Sequence, residues 1–182
     1  KIILTISGGK AKLWDITGME IASLDGHSND VSSANFSPNG KLILTASSDG
    51  TSKLWDINGS ELASLNGHFA NFSPDGKLIL TSDWNGTLKA WNTDGTPIAS
   101  FAGHANSISS ITFSPDGQHF FTTNLPKTTI TLWVLAQTSF KGHASGVNTA
   151  SFSPDGQFIL TASEDGMAKL WDLIGNELAS FR

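Results

Sequence analysis

The chain is 182 residues long and carries 11 Lys+Arg against 16 Asp+Glu, a formal net charge of −5. That balance argues against a nucleic-acid partner, since such binders carry a basic face. It has no Cys, so neither a disulfide framework nor a thiolate metal site is open to it, which fits a reducing cytoplasm. No apolar run reaches the roughly 18 residues of a membrane helix, and no signal peptide shows at Lys1, so no membrane contact is expected.

The pattern starts in mid-unit. Lys1-Ile2-Ile3-Leu4-Thr5 reads as a strand, and a second one leads to Trp14-Asp15. Residues 27 to 66 show the full unit. His27 to Phe36 carries Val31, Ala34 and Phe36 and ends at Ser37-Pro38-Asn39-Gly40. Pro presets φ there and Gly accepts φ > 0, so a tight reversal is predicted. Lys41 to Ser47 is nearly continuously apolar and predicts a strand buried on both faces. Ser48-Asp49-Gly50 is a hairpin turn, Thr51 to Ile57 a third strand, Asn58-Gly59 another turn, and Glu61 to Leu65 a fourth strand.

The unit then recurs. Phe36, Phe72, Phe113 and Phe152 each open a Phe-Ser-Pro-Asp/Asn-Gly turn, preceded by Gly-His at Gly26, Gly67, Gly103 and Gly142. Trp14, Trp55, Trp91, Trp133 and Trp171 close the third strands. No segment has a helical period. A period near 40 with four short antiparallel strands predicts an all-β fold, a β-propeller of four-stranded blades. The blades fall at about 1–25, 27–66, 68–102, 104–141 and 143–182, and the first lacks its inner strand. A blade without its inner strand exposes unpaired backbone at the seam, which predicts a segment of a longer propeller; a ring closed with five blades is the alternative.

Gly-His, Phe-Ser-Pro-Asp-Gly, Ser-x-Asp-Gly-Thr and Leu-Trp-Asp, in this order and spacing, resemble the WD40-repeat family over the whole length. The low-divergence phrasing, such as Leu-Thr-Ala-Ser-Ser-Asp-Gly, is similar to bacterial members, especially cyanobacterial ones. There such arrays often follow a signalling NTPase, kinase or protease-like effector in one polypeptide. The resemblance implies that His27, Ser47, Asp49 and Trp55 form a buried hydrogen-bond relay, as do His143, Ser163, Asp165 and Trp171. A Ser-His-Asp catalytic reading is the alternative, but a triad is recognised by geometry around a substrate site, and an enzyme rarely needs two copies. The other blades erode the set: Asp83 and Asn85 stand for Ser and Asp in the third, and Leu125 and Lys127 in the fourth.

No P-loop, His-Glu-x-x-His or dinucleotide fingerprint occurs, and one carboxylate per Ser-Pro-Asp-Gly turn is too few for calcium. No catalytic residue, metal or cofactor is therefore expected. Two spans fall short of the repeat. Between His68 and Phe72 the third blade is five residues shorter than the second, leaving only Phe69 to Phe72 for its inner strand and predicting a loss of about 16 Å of strand. After Trp133 three residues are missing where a turn should be, so Trp133-Val134-Leu135-Ala136 runs into Gln137 with nothing to reverse it. Both gaps are either true deletions or places where chain is missing between mobile flanks.

Trp84 breaks the formula without a structural need, standing in a turn where other blades carry Ser48 and Glu164. With Asp83, Asn85, Leu125 and Lys127 it makes the candidate partner-binding patch; packing against the neighbouring blade is the other reading. The expected function is a non-catalytic recognition module for a protein partner, the sensor or scaffold of a larger bacterial polypeptide with an attached effector. The alternative is a purely structural oligomerisation scaffold. A hydrolase is disfavoured because Asp30 is the only inner-strand carboxylate.

Overall fold

The computed structural model describes residues 1–102, 107–124, 130–133, 138–140 and 142–182. Among them every regular element is a β-strand. The chain divides into two compact units, Lys1–Ala102 and Gly103–Arg182.

Unit 1 holds three sheets. β1 (Ile2–Ser7), β2 (Lys10–Asp15) and β3 (Glu20–Ser23) form a three-stranded one. β4 (Val31–Phe36), β5 (Leu42–Ser47), β6 (Thr51–Asp56) and β7 (Glu61–Asn66) form the second. β8 (Phe69–Phe72), β9 (Leu78–Ser82), β10 (Thr87–Asn92) and β11 (Pro97–Ala102) form the third. Unit 2 holds two more. They are β12 (Ile108–Phe113), β13 (Phe120–Asn124), β14 (Ile130–Trp133) and β15 (Thr138–Phe140), then β16 (Val147–Phe152), β17 (Phe158–Ser163), β18 (Ala168–Asp172) and β19 (Glu177–Phe181). Each sheet is an antiparallel meander in chain order. The fold is an all-β propeller built of four-stranded blades, the first described one lacking its inner strand.

Burial explains why the strands read as they do. Leu44, Ala46, Leu54 and Leu65 of the second sheet pack on Ala70, Phe72, Ile79 and Trp91 of the third. On its other face Ile43 and Trp55 pack with Ala11, Leu13, Leu24 and Val31. β5 is thus covered on both sides, which a continuous apolar run requires. Burying a leucine such as Leu44 contributes about 2 kcal/mol. In unit 2, Phe121, Leu132 and Phe140 meet Val147, Ile159 and Trp171. The like-sequenced β17 differs: Phe158 and Leu160 are 37% and 44% exposed, because among the described residues no further sheet of unit 2 covers that face.

The Ser-Pro-Asp/Asn-Gly turns are closed by their own side chains. Leu42 N donates to Ser37 Oγ at 2.9 Å, Lys41 N to Asn39 Oδ1 at 3.0 Å, and Gly40 adopts φ 68°. The arrangement repeats in the next turn, where Leu78 N donates to Ser73 Oγ at 3.0 Å and Lys77 N to Asp75 Oδ1 at 3.1 Å.

The short third blade has the inner strand its sequence leaves for it: β8 pairs with β9 from Phe69↔Ser82 to Phe72↔Ile79, and what is corrected is the length lost, since β8 is only two residues shorter than β4. The leading loop absorbs the remaining three, so the strand itself loses about 7 Å rather than 16 Å. The missing turn after Trp133 does not prevent pairing either. β14 and β15 run antiparallel, with Leu132 opposite Thr138. The connection, 134–137, lies outside the described residues.

Candidate functional site

Every sheet carries one contact that residue types alone did not reveal. The third-strand Trp donates its indole N–H to a second-strand Thr hydroxyl. The pairs are Trp14–Thr5 and Trp55–Thr45 at 2.8 Å, and Trp91–Thr81, Trp133–Thr122 and Trp171–Thr161 at 2.9 Å. Register produces this. Trp55 faces Ile43 directly, so Thr45, two residues on, lies diagonally across on the same face, within reach of a ring.

In two sheets the pair extends into a longer chain of bonds. His27 Nε2 lies 2.8 Å from Thr45 Oγ1, and Nδ1 lies 3.0 Å from Asp49 Oδ2. Asp49 also accepts the Ser28 amide at 2.9 Å and the Thr51 hydroxyl at 2.7 Å. Ser47 stands one step aside: its hydroxyl accepts Asp49 N at 3.1 Å and donates to Asn29 O at 3.0 Å. The hydroxyl joining His to Trp is therefore that of Thr45, where the sequence had suggested Ser47. The second copy matches. His143 sits 2.7 Å from Thr161 Oγ1 and 3.0 Å from Asp165 Oδ2, while Ser163 accepts Asp165 N at 3.1 Å. Thr45 and Thr161 went unnoticed although a Thr recurs at a nearly fixed distance before every blade Trp.

Thr45, His27 and Asp49 are spaced like a nucleophile, base and orienting acid, yet the arrangement is closed. Thr45 is fully buried, the His27 side chain is 3% exposed, and the hydroxyl already accepts the Trp55 N–H. No face remains for a substrate carbonyl. Buried polar groups satisfied in this way fix the loop to the sheet.

The third sheet departs. Asn85 replaces the Asp, and Thr81 Oγ1 donates to Asn66 O at 2.6 Å. The His68 ring lies flat against Trp84, centroids 3.5 Å apart and planes 7° from parallel. Trp84 is 56% exposed. Beside it Asp83 Oδ1 accepts the amides of Asn85 at 3.0 Å and Thr87 at 2.9 Å. Of the sequence-derived patch the structure thus brings Asp83, Trp84 and Asn85 together in one turn; Leu125 and Lys127 lie outside the described residues.

The WD domain, G-beta repeat family matches at residues 18–56, 59–92, 95–133 and 135–172. The chain belongs to the WD40 family. No curated protein matches it. Each matched WD40 unit ends at or just past a blade Trp, and the first three open at Gly18, Gly59 and Gly95, in the turn before an outer strand, so sequence repeat and structural sheet are offset by one strand. WD40 repeats generally mediate protein interaction or scaffolding and are generally non-catalytic. Among the described residues no group of three or more His, Asp or Glu is placed to hold a metal. Among the described residues no helix is long and apolar enough to cross a membrane.

The relay carboxylates make this WD40 chain acid-sensitive. Burial pushes Asp165 upward, but the Ala144 amide, His143, the Met167 amide and Ser163 outweigh it and hold the carboxyl at about 2. On Asp49 burial is likewise outweighed, by the Thr51 hydroxyl, the Ser28 and Thr51 amides and His27, and its carboxyl sits lower still. A carboxyl depressed on folding adds stability that is complete above its unfolded value, about 4, and vanishes as pH falls through the folded one. Urea midpoints should therefore fall steadily from pH ~4 to ~2, and Asp165→Asn should flatten that slope. An unchanged slope in the variant would remove Asp165 from the account.

Proposed function

We propose that this WD40 chain is a non-catalytic recognition module and that the β9–β10 turn carrying Trp84 is its contact site. The observation that carries the reading is an indole left open to solvent yet stacked from behind on His68. A large aromatic costs solvation on an exposed turn, and one held in place binds at low entropic cost, the property of an interface anchor. Asp83 and Asn85 flank it in the same turn. The similarity of the repeat phrasing to bacterial arrays supports a sensor or scaffold role in the cytoplasm, attached to an effector in one polypeptide.

Photocrosslinking tests this. A benzophenone side chain at position 84 should give a defined adduct with a partner from the source cells. The same group at Asn58, in a turn at the opposite end of the second sheet, should not. Trp84→Ala should lower partner recovery by about five- to thirtyfold, the loss of an anchor worth 1–2 kcal/mol. Identical adducts from both positions, or unchanged recovery, would remove the turn as the contact site.

A further inference from the structure

The chemistry around Trp84 specifies what it can grip. Its back face is occupied by the His68 ring, so only the front face is free. Burial lowers the His68 pKa, against an upward pull from Asp83 and the Ser82 carbonyl. The open face of an indole is electron-rich and attracts a cation that can lie flat on it. Asp83 is the next residue, its carboxylate fixed by the two backbone amides of its own turn.

The surroundings carry the same sign. Val31 N donates to Gly9 O at 2.7 Å, Ser48 N to Asp30 O at 3.1 Å, and Gly67 N to Gly50 O at 2.9 Å. These bonds bring the loops leading into β4 and β8 to the same end of unit 1 as the second-to-third-strand turns. That end presents Asp25, Asp30 and Asp83 against Lys10, which itself pairs with Asp25 at 3.7 Å. An anionic ligand or a nucleic-acid phosphate is repelled there, and a basic segment is drawn in.

We propose that Trp84 and Asp83 form an arginine-reading site for a basic segment of a protein partner. The guanidinium stacks on the free indole face and pairs with the Asp83 carboxylate. Arginine suits this better than lysine because its planar, weakly hydrated group can stack and hydrogen-bond together, while an ammonium keeps its water. The proposal deepens the recognition reading and rests on it.

The test is an NMR titration of the full chain, following indole N–H peaks, with the short peptide Gly-Ser-Arg-Ser-Gly. Matched peptides carry citrulline, its neutral planar isostere, or lysine. The Trp84 peak, assigned with Trp84→Phe, should move saturably with the arginine peptide. The peaks of Trp14, Trp55, Trp91, Trp133 and Trp171, bound to their threonines, should stay and report an intact fold. The citrulline peptide should bind at least about tenfold more weakly, and Asp83→Asn should weaken the arginine peptide about three- to fivefold. Equal binding of arginine and citrulline overturns the proposal, as does a still Trp84 peak at about 10 mM peptide, where even a millimolar contact would show. A crosslinked partner at position 84 with arginine-indifferent binding would keep the recognition module and discard the arginine.

Discussion

Thr45→Val lowers the stability of unit 1 by about 2–4 kcal/mol, whereas Ser47→Ala costs about 1 kcal/mol. Valine matches threonine in shape and suits a strand, so no cavity opens and backbone preference is unchanged. What is lost is the oxygen at which two buried groups converge. The Trp55 N–H, on a ring 1% exposed, loses its acceptor, and His27 Nε2 loses the hydroxyl 2.8 Å away. Each buried polar atom stranded without a partner costs about 1–3 kcal/mol. Ser47 is buried too, but its removal frees only the Asp49 amide and the Asn29 carbonyl, both next to solvent-facing loop. Urea unfolding of the two variants, with the Trp55 indole peak as a local reporter, decides it. If Ser47→Ala proves the costlier, the relay turns on the serine and the geometry described above is not what stabilises the blade. Thr81→Val should fall between them, because the Trp91 N–H is stranded in the interior while the Asn66 carbonyl that also loses its partner belongs to an exposed residue.

That comparison also shows where the sequence is readable and where it is not. The sheets are legible because turn chemistry is local. Pro38 and Gly40 permit one backbone reversal, and Leu42 to Ser47 between two such turns has one economical fate. The relay is only half legible. Thr45 and Ser47 are both small hydroxyls, and residues two apart in a strand share a face, so composition cannot say which oxygen meets the indole. Register decides: with Trp55 opposite Ile43, the diagonal neighbour is Thr45. The recurrence of Thr before Trp14, Trp55, Trp91, Trp133 and Trp171 carried that signal, while the Ser is absent from some blades. Trp84 stood out as an aromatic in a turn that needs none. Its stacking partner did not stand out, because a Gly-His mark predicts a relay histidine. The shortened approach to β8 and the Asn85 that replaces the relay Asp accompany the placement of His68 against Trp84. The lost strand length was overestimated for a related reason: a deletion is absorbed first by the irregular loop, whose backbone pairs are fewest, and only then by the ladder.

Gly67→Ala should destabilise unit 1 by about 3–5 kcal/mol and displace His68 from Trp84. Gly67 adopts φ +134°, a conformation that side chains rarely take. A Cβ there would meet Thr81 Cβ at 2.7 Å and Ser82 O at 2.9 Å. Neither can retreat, since Thr81 and Ser82 lie in β9, paired to β8 on one side and β10 on the other. Gly40 is the natural control: its φ is +68°, but nothing lies within 4 Å of an added Cβ, so Gly40→Ala pays only the backbone term of about 1–2 kcal/mol. The glycine before the relay histidine in the second sheet is placed differently again, with Trp55 Cη2 at 3.1 Å and the Glu61 carboxylate at 2.9 Å from its Cβ position. The five-residue shortening has therefore moved the Gly-His mark off the blade Trp and onto the second strand. There Gly67 O accepts the Ser52 hydroxyl at 2.7 Å, and the following residue is delivered beneath Trp84. If alanine at 67 costs no more than alanine at 40, or leaves the Trp84 peak in place, that coupling between the short loop and the exposed indole is wrong. If both changes appear together, the deletion that looks like damage to a repeat is what builds its contact site.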